Sequence, residues 1–406
     1  MYKILQINVV GNWGSTGRIA NDIGDMCISN GWKSYIGTGR KIRESKSEII
    51  KIGDNLDLGL HKLKSIVLDR HGFGSTNATL RFIEQIKNIK PDIIHLHNLH
   101  GYYINIDVLF HYLCKSKIPV VWTLHDCWAF TGHCTYFDRL ACDKWITACY
   151  SCPQKTEYPT SLFKDNSKKN YVDKKNIFNS VNNLTLIPVS NWLEGLLKKS
   201  FLKTNQIKVI NNGIDLNEFS PKFENKILKS KLEILDKFIV LGVASYWTER
   251  KGFDDFVKLS KIIDNETVIV LVGLNDIQLK SLPSNIIGIK RTSSIKDLVE
   301  IYSLADLYMN LTYEDNFPTT NLEALACGTP VLTYNTGGSI ECISDETGFI
   351  VQKGDFNQMK NIIEKIKFSE KGSYQKNCRI RAEDFYDKNV KFNEYIDLYK
   401  NLLSYV

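Results

Sequence analysis

The chain has 406 residues, of which 43% are hydrophobic and 24% are charged, and its formal net charge is +7. The length favours two domains over one, and the composition is that of a soluble globular chain with an ample core. Two classes of protein are excluded. The sequence contains no apolar run of about 18 residues, the length that predicts a transmembrane helix. Its basic residues are scattered and form no nucleic-acid-binding stripe.

The first residues lead directly into an apolar strand, which is too short and wrongly flanked for a secretory signal. We therefore expect a cytoplasmic protein. Its modest positive charge would favour peripheral contact with the inner face of an anionic membrane. In such a chain the ten cysteines indicate thiols or a bound metal rather than a disulfide framework.

Apolar strands alternate with helical patterns along both halves of the chain, which predicts two parallel, doubly wound α/β sheets. In the first half the predicted strands are 2–10, 33–36, 92–96, 119–124, 184–189 and 207–210, and the predicted helices are 18–30, 80–88, 106–115 and 191–199. A turn-rich linker follows at 211–221. In the second half the predicted strands are 238–244, 267–272, 286–289, 306–311 and 349–352, and the predicted helices are 254–263, 294–303, 355–367 and 389–403. Two such sheets predict two lobes that face a cleft.

A glycine-rich loop follows the first predicted strand and opens the first helix. Gly14 and Gly17 let the backbone approach a phosphate group at the N-terminus of that helix. Because the spacing is not that of the dinucleotide-binding fingerprint, a plain tight turn stays open as the alternative.

Histidines occur at the ends of two further strands. His95 and His97 end the strand 92–96, and we expect them to point to opposite faces, so that only one faces a shared site. His125 ends the strand 119–124 beside Asp126, where open α/β sheets place their ligand crevices. A single histidine is more often structural, but this position makes His125 the stronger candidate.

A cysteine-rich insertion at about 127–155 follows His125 directly. Four thiols within twenty residues can supply the tetrahedral ligands of a structural zinc ion that staples a small aromatic insertion. Only the last two have the short spacing usual for such sites, so reduced thiols in an aromatic core are the alternative. The four candidate ligands are Cys134, Cys142, Cys149 and Cys152.

Two charged segments of the second half follow strands. Arg250 and Lys251, after the strand 238–244, can together neutralise a diphosphate, the arginine by its planar fork and the lysine as a point charge. A solvated basic pair is the alternative. Glu314 and Asp315 follow the strand 306–311, and carboxylates there would accept hydrogen bonds from vicinal diols.

The acidic loop continues into a short helix. Thr319 or Thr320 is expected to cap this helix, which carries Glu323 in its first turns and attracts phosphate to its N-terminus. The alternative is an ordinary βαβ unit whose acids only cap the helix and face water.

With these motifs in place, the chain resembles the retaining GT-B glycosyltransferases of family 4, over nearly all of its length. The resemblance is most specific in the segment 315–331, which is similar to the family's motif of two acids separated by seven residues. Asp315 stands at the first acidic position and Glu323 at the second. Glu314, one residue early, remains an alternative to Asp315.

The resemblance implies roles for the matching residues. In this family the first acid contacts the hydroxyls of the donor sugar, and the second, here Glu323, holds the ribose hydroxyls. Lys251 matches a lysine that holds the diphosphate. The family's partner arginine, five residues earlier, is replaced here by Tyr246, and Arg250 would substitute for it. His125 matches a strand-end histidine close to the reacting sugar.

The remaining matches concern backbone that approaches the donor. They are the first glycine loop, with Gly14 and Gly17, and the loop between the two acids, with Asn316, Phe317, Pro318 and Thr319. The resemblance also implies an N-terminal Rossmann-like acceptor domain, 1–215 with a returning helix at 388–406, and a C-terminal Rossmann-like nucleotide-sugar donor domain, 216–387.

The implied enzyme is a retaining hexosyltransferase of bacterial capsule, O-antigen or exopolysaccharide synthesis. It would use a UDP- or GDP-linked sugar and a glycan or lipid-linked glycan acceptor. No Asp-x-Asp pair occurs, so we expect no metal or other cofactor in catalysis. The alternatives are a GT-B epimerase or phosphorylase, and a non-catalytic nucleotide-sugar-binding or scaffold protein.

Overall fold

A computed structural model of the chain describes residues 1–222, 230, 234–369 and 372–404. The chain divides into two compact units. The first contains Met1–Asn211 together with the chain from Asn389 onward, and the second contains Asn212–Lys388. Among the helices of these described residues, none combines the length and the apolar composition that a membrane span needs.

The first unit is built on a parallel sheet. Its strands are β1 (Lys3–Asn8), β2 (Lys33–Thr38), β3 (Glu48–Lys51), β4 (Ile93–Leu96), β5 (Val120–Leu124), β6 (Leu184–Pro188) and β7 (Gln206–Ile207). They lie in the order β3-β2-β1-β4-β5-β6-β7. The central strands are buried on both faces because helices cover both sides of the sheet.

Six helices belong to the part of this unit before the linker, and a set of short 3-10 helices forms the cysteine-rich insertion. The helices are α1 (Gly14–Ser29), α2 (Asn55–Leu68), α3 (Thr76–Ile89), α4 (Ile106–Ser116), α5 (Ser167–Phe178) and α6 (Asn191–Leu197). The 3-10 helices are Trp128–Phe130, Asp138–Leu140 and Lys144–Ile146. The insertion has an aromatic core, in which the rings of Phe137 and Trp145 stack with their centroids 4.9 Å apart.

The second unit is a parallel sheet of the same kind. Its strands are β8 (Phe238–Val243), β9 (Thr267–Val272), β10 (Ile286–Ile289), β11 (Leu307–Asn310), β12 (Val331–Tyr334) and β13 (Gly348–Val351), in the order β10-β9-β8-β11-β12-β13. The helices are α7 (Phe253–Leu259), α8 (Asp276–Lys280), α9 (Ile295–Leu304), α10 (Thr319–Ala326), α11 (Phe356–Lys367) and α12 (Gln375–Tyr386). The order reverses direction between β8 and β11, which is where such sheets bind ligands.

The last helix, α13 (Lys388–Leu403), returns to the first unit. Its Phe392 and Ile396 are buried in a core cluster with Ile4 and Val121 of the first sheet. Its Tyr399 hydroxyl lies 2.6 Å from Nδ1 of the buried His95. The fold class predicted from the sequence is therefore confirmed: two doubly wound parallel sheets and a terminal helix that crosses back to the first.

Candidate active site

The second unit gathers charged side chains at the carboxyl edge of its sheet. The strands β8, β11 and β12 are neighbours, so the loops that follow them meet at one place. The loop after β8 carries the basic pair, the loop after β11 carries the acidic pair, and the loop after β12 carries two consecutive glycines.

The basic and acidic loops are joined by an ion pair and two further hydrogen bonds. Nζ of Lys251 lies 2.8 Å from Oδ2 of Asp315. Arg250 donates from Nη1 to the carbonyl oxygen of Glu314 at 2.5 Å, and the Tyr313 N–H donates to the Arg250 carbonyl at 2.8 Å. The contacts fix the positions of the two loops relative to each other.

Asp315 is held in its ionised form. Burial acts to raise the pKa of this carboxyl, but the positive charges of Lys251 and Arg250, together with hydrogen bonds from Lys251 and the Asn316 N–H, outweigh burial and lower the pKa below its ordinary value. The Glu314 side chain is buried beside it, with 4% of the residue exposed. Of the two acids, Asp315 is therefore the one that contacts Lys251. That one of them contacts the donor sugar stays a prediction.

Two glycines allow the loops to approach so closely. Gly337 has φ of 51°, and a Cβ atom there would lie 1.9 Å from the carbonyl oxygen of Asp315. Gly252 has φ of 76°, and a Cβ atom there would lie 2.2 Å from the carbonyl oxygen of Leu311. Both positions require glycine because of the backbone conformation and because of the space.

The helix after the acidic loop begins differently from the prediction. Pro318 is the N-cap residue, with extended φ and ψ of −69° and 120°, and no side-chain cap is present among the described residues. The prediction that Thr319 or Thr320 caps the helix was wrong, because both already lie inside α10. An extended proline sets the chain direction at the helix start without a capping hydroxyl.

Glu323 is buried in α10, and Tyr302 orients it. The Tyr302 hydroxyl donates to Oε2 of Glu323 at 2.9 Å. The loop before the helix has a second tie, since Asn212 donates from Nδ2 to the Phe317 carbonyl at 3.0 Å. Sequence reasoning gave no role to Tyr302, which lies on α9 and meets Glu323 only through the fold.

The first unit places a glycine loop and histidines at the carboxyl edge of its own sheet. The adjacent strands β1, β4 and β5 are followed by the glycine loop, by His97 and by His125. Gly14, with φ of 63°, is the first residue of α1. Gly17 follows in the first turn, where a Cβ atom would lie 3.2 Å from the Val10 carbonyl oxygen.

His125 belongs to a chain of hydrogen bonds that runs through His97 to Gln6. The orientation of the Gln6 amide determines which nitrogen of each histidine carries its proton. Gln6 donates from Nε2 to the Ala20 carbonyl, so its Oε1 faces Nε2 of His97 at 3.0 Å. His97 therefore carries its proton on Nε2, and its Nδ1 accepts from Nε2 of His125 at 3.3 Å. Burial lowers the pKa of His125 to about 4, although Asp126 opposes this shift. A neutral His125 thus presents Nδ1 as an acceptor.

The expectation that His95 and His97 point to opposite faces was wrong. Their ring centroids lie 4.1 Å apart. Side chains two residues apart on a strand point to the same face, and only immediate neighbours alternate. His95 is enclosed by Tyr399 and Thr123, at 2.6 and 2.8 Å from its ring nitrogens, while His97 connects to His125.

His100 and Asp126 form a second polar pair beside His125. Nε2 of His100 lies 2.7 Å from Oδ2 of Asp126, and its Nδ1 lies 3.0 Å from the Tyr158 hydroxyl. His97, His100, His125 and Asp126 line one pocket. Sequence reasoning gave His100 no role.

The four cysteines of the predicted zinc site line a single cavity with the aromatic core of the insertion. The thiols of Cys134 and Cys152 are hydrogen-bonded, which lowers the pKa of Cys152 to about 7. The Gly132 N–H donates to Sγ of Cys149 at 3.2 Å. In the described part of the chain, no group of three or more His, Cys, Asp or Glu side chains is arranged to hold a metal ion. The zinc site stays a prediction.

Comparison with known proteins decides the family. The family model described as "Glycosyltransferase Family 4" matches residues 53–218, and the model described as "Glycosyl transferases group 1" matches residues 224–385. The two matches follow one another and together cover most of both units. The chain belongs to glycosyltransferase family 4.

Several known proteins resemble this glycosyltransferase. The Escherichia coli (strain K12) protein that carries the name of a colanic acid biosynthesis glycosyl transferase, WcaC, is 24% identical over 98% of this chain and 100% of its own. The Campylobacter jejuni N,N'-diacetylbacillosaminyl-diphospho-undecaprenol alpha-1,3-N-acetylgalactosaminyltransferase is 29% identical over 50% of this chain and 57% of its own. The latter alignment thus spans little more than half of that enzyme.

Among solved structures, the Anabaena protein HepE in complex with UDP-glucose has a TM-score of 0.69 and 15% identity. The match covers 100% of both chains. At this identity the likeness shows a shared GT-B fold.

The predicted site residues of this glycosyltransferase thus fall into three groups. Arg250, Lys251, Glu314, Asp315, Asn316, Phe317, Pro318, Thr319 and Glu323 lie together at one edge of the second sheet. Gly14, Gly17 and His125 lie at one edge of the first sheet, and the four cysteines line the cavity of the insertion.

Proposed function

We propose that this glycosyltransferase is a retaining, metal-independent enzyme of bacterial surface-polysaccharide synthesis. It transfers a hexose from a UDP- or GDP-linked donor to a hydroxyl of a lipid-linked glycan. The contact of Lys251 with Asp315, beside Arg250, carries the proposal because it combines diphosphate-binding and sugar-binding chemistry in one place. The colanic acid name of WcaC supports the role in polysaccharide synthesis, and the undecaprenol name of the Campylobacter enzyme supports the lipid-linked acceptor.

The basic pair would stabilise the leaving group. Negative charge accumulates on the diphosphate as its bond to the sugar breaks, and positive charges fixed in advance at that place stabilise the transition state. Lys251 is already oriented by Asp315, and Arg250 by the Glu314 carbonyl. The sequence has no Asp-x-Asp pair, so we assign this role to the two side chains rather than to a metal.

The acids would hold the two sugars of the donor. We assign the contact with the hydroxyls of the transferred sugar to Asp315 rather than to Glu314. Asp315 contacts Lys251, which would bind the diphosphate next to that sugar. Glu323, oriented by Tyr302, would accept hydrogen bonds from the ribose hydroxyls. No side chain caps the described first turn of α10. The backbone N–H groups of this turn would therefore be available to bind a phosphate of the donor.

Retention would follow from attack on the face that the diphosphate leaves. The acceptor oxygen bonds to the anomeric carbon as the bond between this carbon and the diphosphate oxygen breaks. The proton of the acceptor hydroxyl passes to a diphosphate oxygen. No covalent intermediate on the enzyme is required. His125, neutral and with Nδ1 as an acceptor, would receive a hydrogen bond from a sugar hydroxyl and so orient the donor.

A screen of nucleotide sugars by thermal shift and mass spectrometry tests the proposal. A UDP- or GDP-sugar should raise the Tm, and with a lipid-linked acceptor it should yield free nucleoside diphosphate and a new glycoside, with or without EDTA. An epimerised sugar without an acceptor, or a sugar phosphate as product, would instead indicate an epimerase or a phosphorylase. Binding without turnover would indicate a scaffold protein.

For the insertion, we propose a structural zinc ion on Cys134, Cys142, Cys149 and Cys152. The shared cavity, the hydrogen bond between two of the thiols and the N–H donor to Cys149 support it. Metal analysis should find one zinc per chain, lost in Cys152→Ser and kept in the control Cys114→Ser, whose thiol is exposed. A metal-free chain with the same Tm in EDTA would establish reduced thiols instead.

A further inference from the structure

Two tyrosines of the first unit lie beside the pocket that contains His125. This pocket is also lined by His100 and Asp126. The ring centroid of Tyr158 lies 5.6 Å from that of His100, and the ring centroid of Tyr102 lies 6.2 Å from that of Tyr158, with the two tyrosine rings at an angle of 80°. We call Tyr102 and Tyr158 the tyrosine pair. The contacts assigned to the donor leave this pair without a role.

A chain of hydrogen bonds fixes the direction of the Tyr158 hydroxyl. The Asp126 carboxylate accepts from the Trp128 N–H at 2.9 Å and lies 2.7 Å from Nε2 of His100. A neutral His100 therefore donates from Nε2, and its Nδ1 accepts from the Tyr158 hydroxyl at 3.0 Å. A phenol that donates its proton can also accept a hydrogen bond, so the Tyr158 oxygen is able to accept one from a ligand hydroxyl.

The loop that carries Tyr158 is closed on itself and anchored to the rest of the unit. The Ser161 N–H donates to the Lys155 carbonyl at 2.8 Å, which closes the loop around Tyr158. The Ser161 hydroxyl donates to the Ile66 carbonyl, at the end of α2, at 3.2 Å. Although the loop is held in this way, 41% of Tyr158 is exposed. The ring is therefore both positioned in advance and accessible to a ligand.

Tyr102 is held in an unusual backbone conformation. Its φ of 70° lies in the left-handed region, which a bulky aromatic residue rarely adopts. The turn before it requires glycine, because a Cβ atom on Gly101 would lie 2.4 Å from Cγ2 of Val9. Across the same turn the Tyr103 hydroxyl donates to the Asn98 carbonyl at 2.8 Å. Backbone conformations of this kind occur more often at ligand sites than elsewhere.

A buried donor in the same group of rings has no hydrogen-bond acceptor. The Gly101 N–H donates to Nε2 of His71 at 3.0 Å, and burial lowers the pKa of His71 well below its ordinary value, so this neutral imidazole carries its proton on Nδ1. Among the described residues Nδ1 has no partner, although only 3% of His71 is exposed. The rings of Tyr102 and Tyr158 lie 4.7 and 5.6 Å from that of His71. An unpaired buried donor is expected where water or a ligand completes a site.

We propose that the tyrosine pair binds a pyranose ring of the glycan acceptor and selects it through the Tyr158 hydroxyl. A sugar ring combines an apolar face of C–H groups with a rim of hydroxyls. The apolar face would pack on a tyrosine ring, and one hydroxyl would donate to the Tyr158 oxygen. Through His100, Asp126 would keep that oxygen in its accepting orientation. The assignment of this sugar to the acceptor rests on the proposed function.

Saturation-transfer NMR of the full chain tests sugar binding without any donor. The probes are p-nitrophenyl glycosides of common hexoses and N-acetylhexosamines. At least one glycoside should bind the wild type, and Tyr158→Ala should bind it about tenfold more weakly with an unchanged Tm, because the ring that packs on the sugar is lost. The matched control is Tyr2→Ala, which removes a tyrosine of the first unit that is 44% exposed and edge-on to Trp32, and which should bind like the wild type.

The hydrogen bond to Tyr158 is tested separately, with monodeoxy forms of the glycoside that binds most tightly. One deoxy form should bind the wild type about threefold to tenfold more weakly than the parent glycoside, whereas Tyr158→Phe should bind the two equally. A Tyr158→Phe variant that discriminates as the wild type does would overturn the proposal. So would a wild type that binds no glycoside, or a Tyr158→Ala variant that binds every glycoside as the wild type does.

Transfer assays distinguish the acceptor site from the proposed function. With a donor found in the nucleotide-sugar screen, Tyr158→Ala should raise the acceptor KM about tenfold, and Tyr2→Ala should not change it. Transfer with the same acceptor KM in the wild type and Tyr158→Ala would refute the acceptor site alone. A wild type that binds glycosides through Tyr158 but neither binds nor consumes a nucleotide sugar would refute the proposed function alone.

Discussion

The two units place chemically different groups at the same edge of the same kind of sheet. In the second unit this edge is charged, with Lys251 and Asp315 in an ion pair at 2.8 Å. In the first unit the histidines are uncharged, because burial lowers the pKa of His125 to about 4 and that of His95 to about 3, and the one acid beside them, Asp126, lies 2.7 Å from His100. Charge suits a diphosphate and neutral imidazoles suit sugar hydroxyls. One architecture therefore supplies two kinds of binding chemistry through the residues that end its strands.

The largest effect is expected at the charged edge. Lys251→Ala should lower kcat by about 10²- to 10³-fold, because it removes a positive charge from the place where the diphosphate leaves. Steady-state kinetics would measure this. The matched control is Lys258→Ala, which should keep its activity. The Lys258 side chain is exposed on α7, and its ammonium group lies 3.3 Å from Asp255. Equal losses in both variants would show that the charge of Lys251 has no special role.

The contact between the loops is expected to depend on glycine. Gly337→Ala should reduce the free energy of unfolding by about 3 kcal/mol, since the new Cβ would meet the Asp315 carbonyl and the φ of 51° disfavours alanine. Gly354→Ala separates the two causes, because Gly354 has φ of 79° with nothing within 4 Å of its Cβ position. That control should lose only about 1 kcal/mol. Denaturant unfolding that gave equal losses would refute the close contact.

The buried, uncharged His95 predicts a pH dependence of stability. Burial depresses the pKa of His95 from 6.5 to about 3, so between these values the unfolded chain binds a proton that the folded chain does not. Stability is therefore full above pH 6.5 and falls as the pH drops. The contribution of His95 at pH 5 is about −2 kcal/mol relative to pH 7.

Denaturant unfolding at pH 7 and pH 5 would test this dependence. His95→Gln should make the pH dependence smaller, and His111→Gln, at an exposed position, should leave it unchanged. A His95→Gln variant with the same loss of stability between the two pH values as the wild type would contradict a neutral His95.

The smallest effect is expected from the group that orients Glu323. Tyr302→Phe removes a hydrogen bond of 2.9 Å to this carboxylate and should raise the donor KM roughly tenfold with little change in kcat. A lower kcat at unchanged KM would instead connect Tyr302 to the chemical step.

Sequence reasoning identified both edges but not their supporting contacts. The alternation of strands and helices and the acid–seven residues–acid spacing are local patterns, so the fold class and the Asp315 loop could be predicted. Tyr302 and Asn212 reach the site from distant parts of the chain, and no local pattern reports such contacts. The prediction that His95 and His97 point to opposite faces was wrong for a different reason. Residues two apart on a strand point to the same face, so the sequence alone was sufficient to predict this.

Other elements followed rules that a single sequence does not reveal. Helix α2 was not predicted, and its leucines reverse the usual assignment of the apolar side, since Leu56, Leu60 and Leu63 are 70%, 58% and 57% exposed. Helix α5 is rich in lysine and asparagine, yet Lys174 is 1% exposed, with Nζ donating to the carbonyls of Trp128 and Thr131 at 2.8 and 3.1 Å. A lysine satisfied by distant carbonyl groups has no signature in sequence.

The central claim is that the charged edge binds a nucleotide-diphosphate sugar for retaining transfer. Proton NMR of the product during turnover with a donor of known anomeric configuration tests it most directly. We expect a glycoside with the same anomeric configuration as the donor, formed together with free nucleoside diphosphate, and formed about 10²- to 10³-fold more slowly by Lys251→Ala. A product of inverted configuration, or one formed equally well by Lys251→Ala, would contradict it.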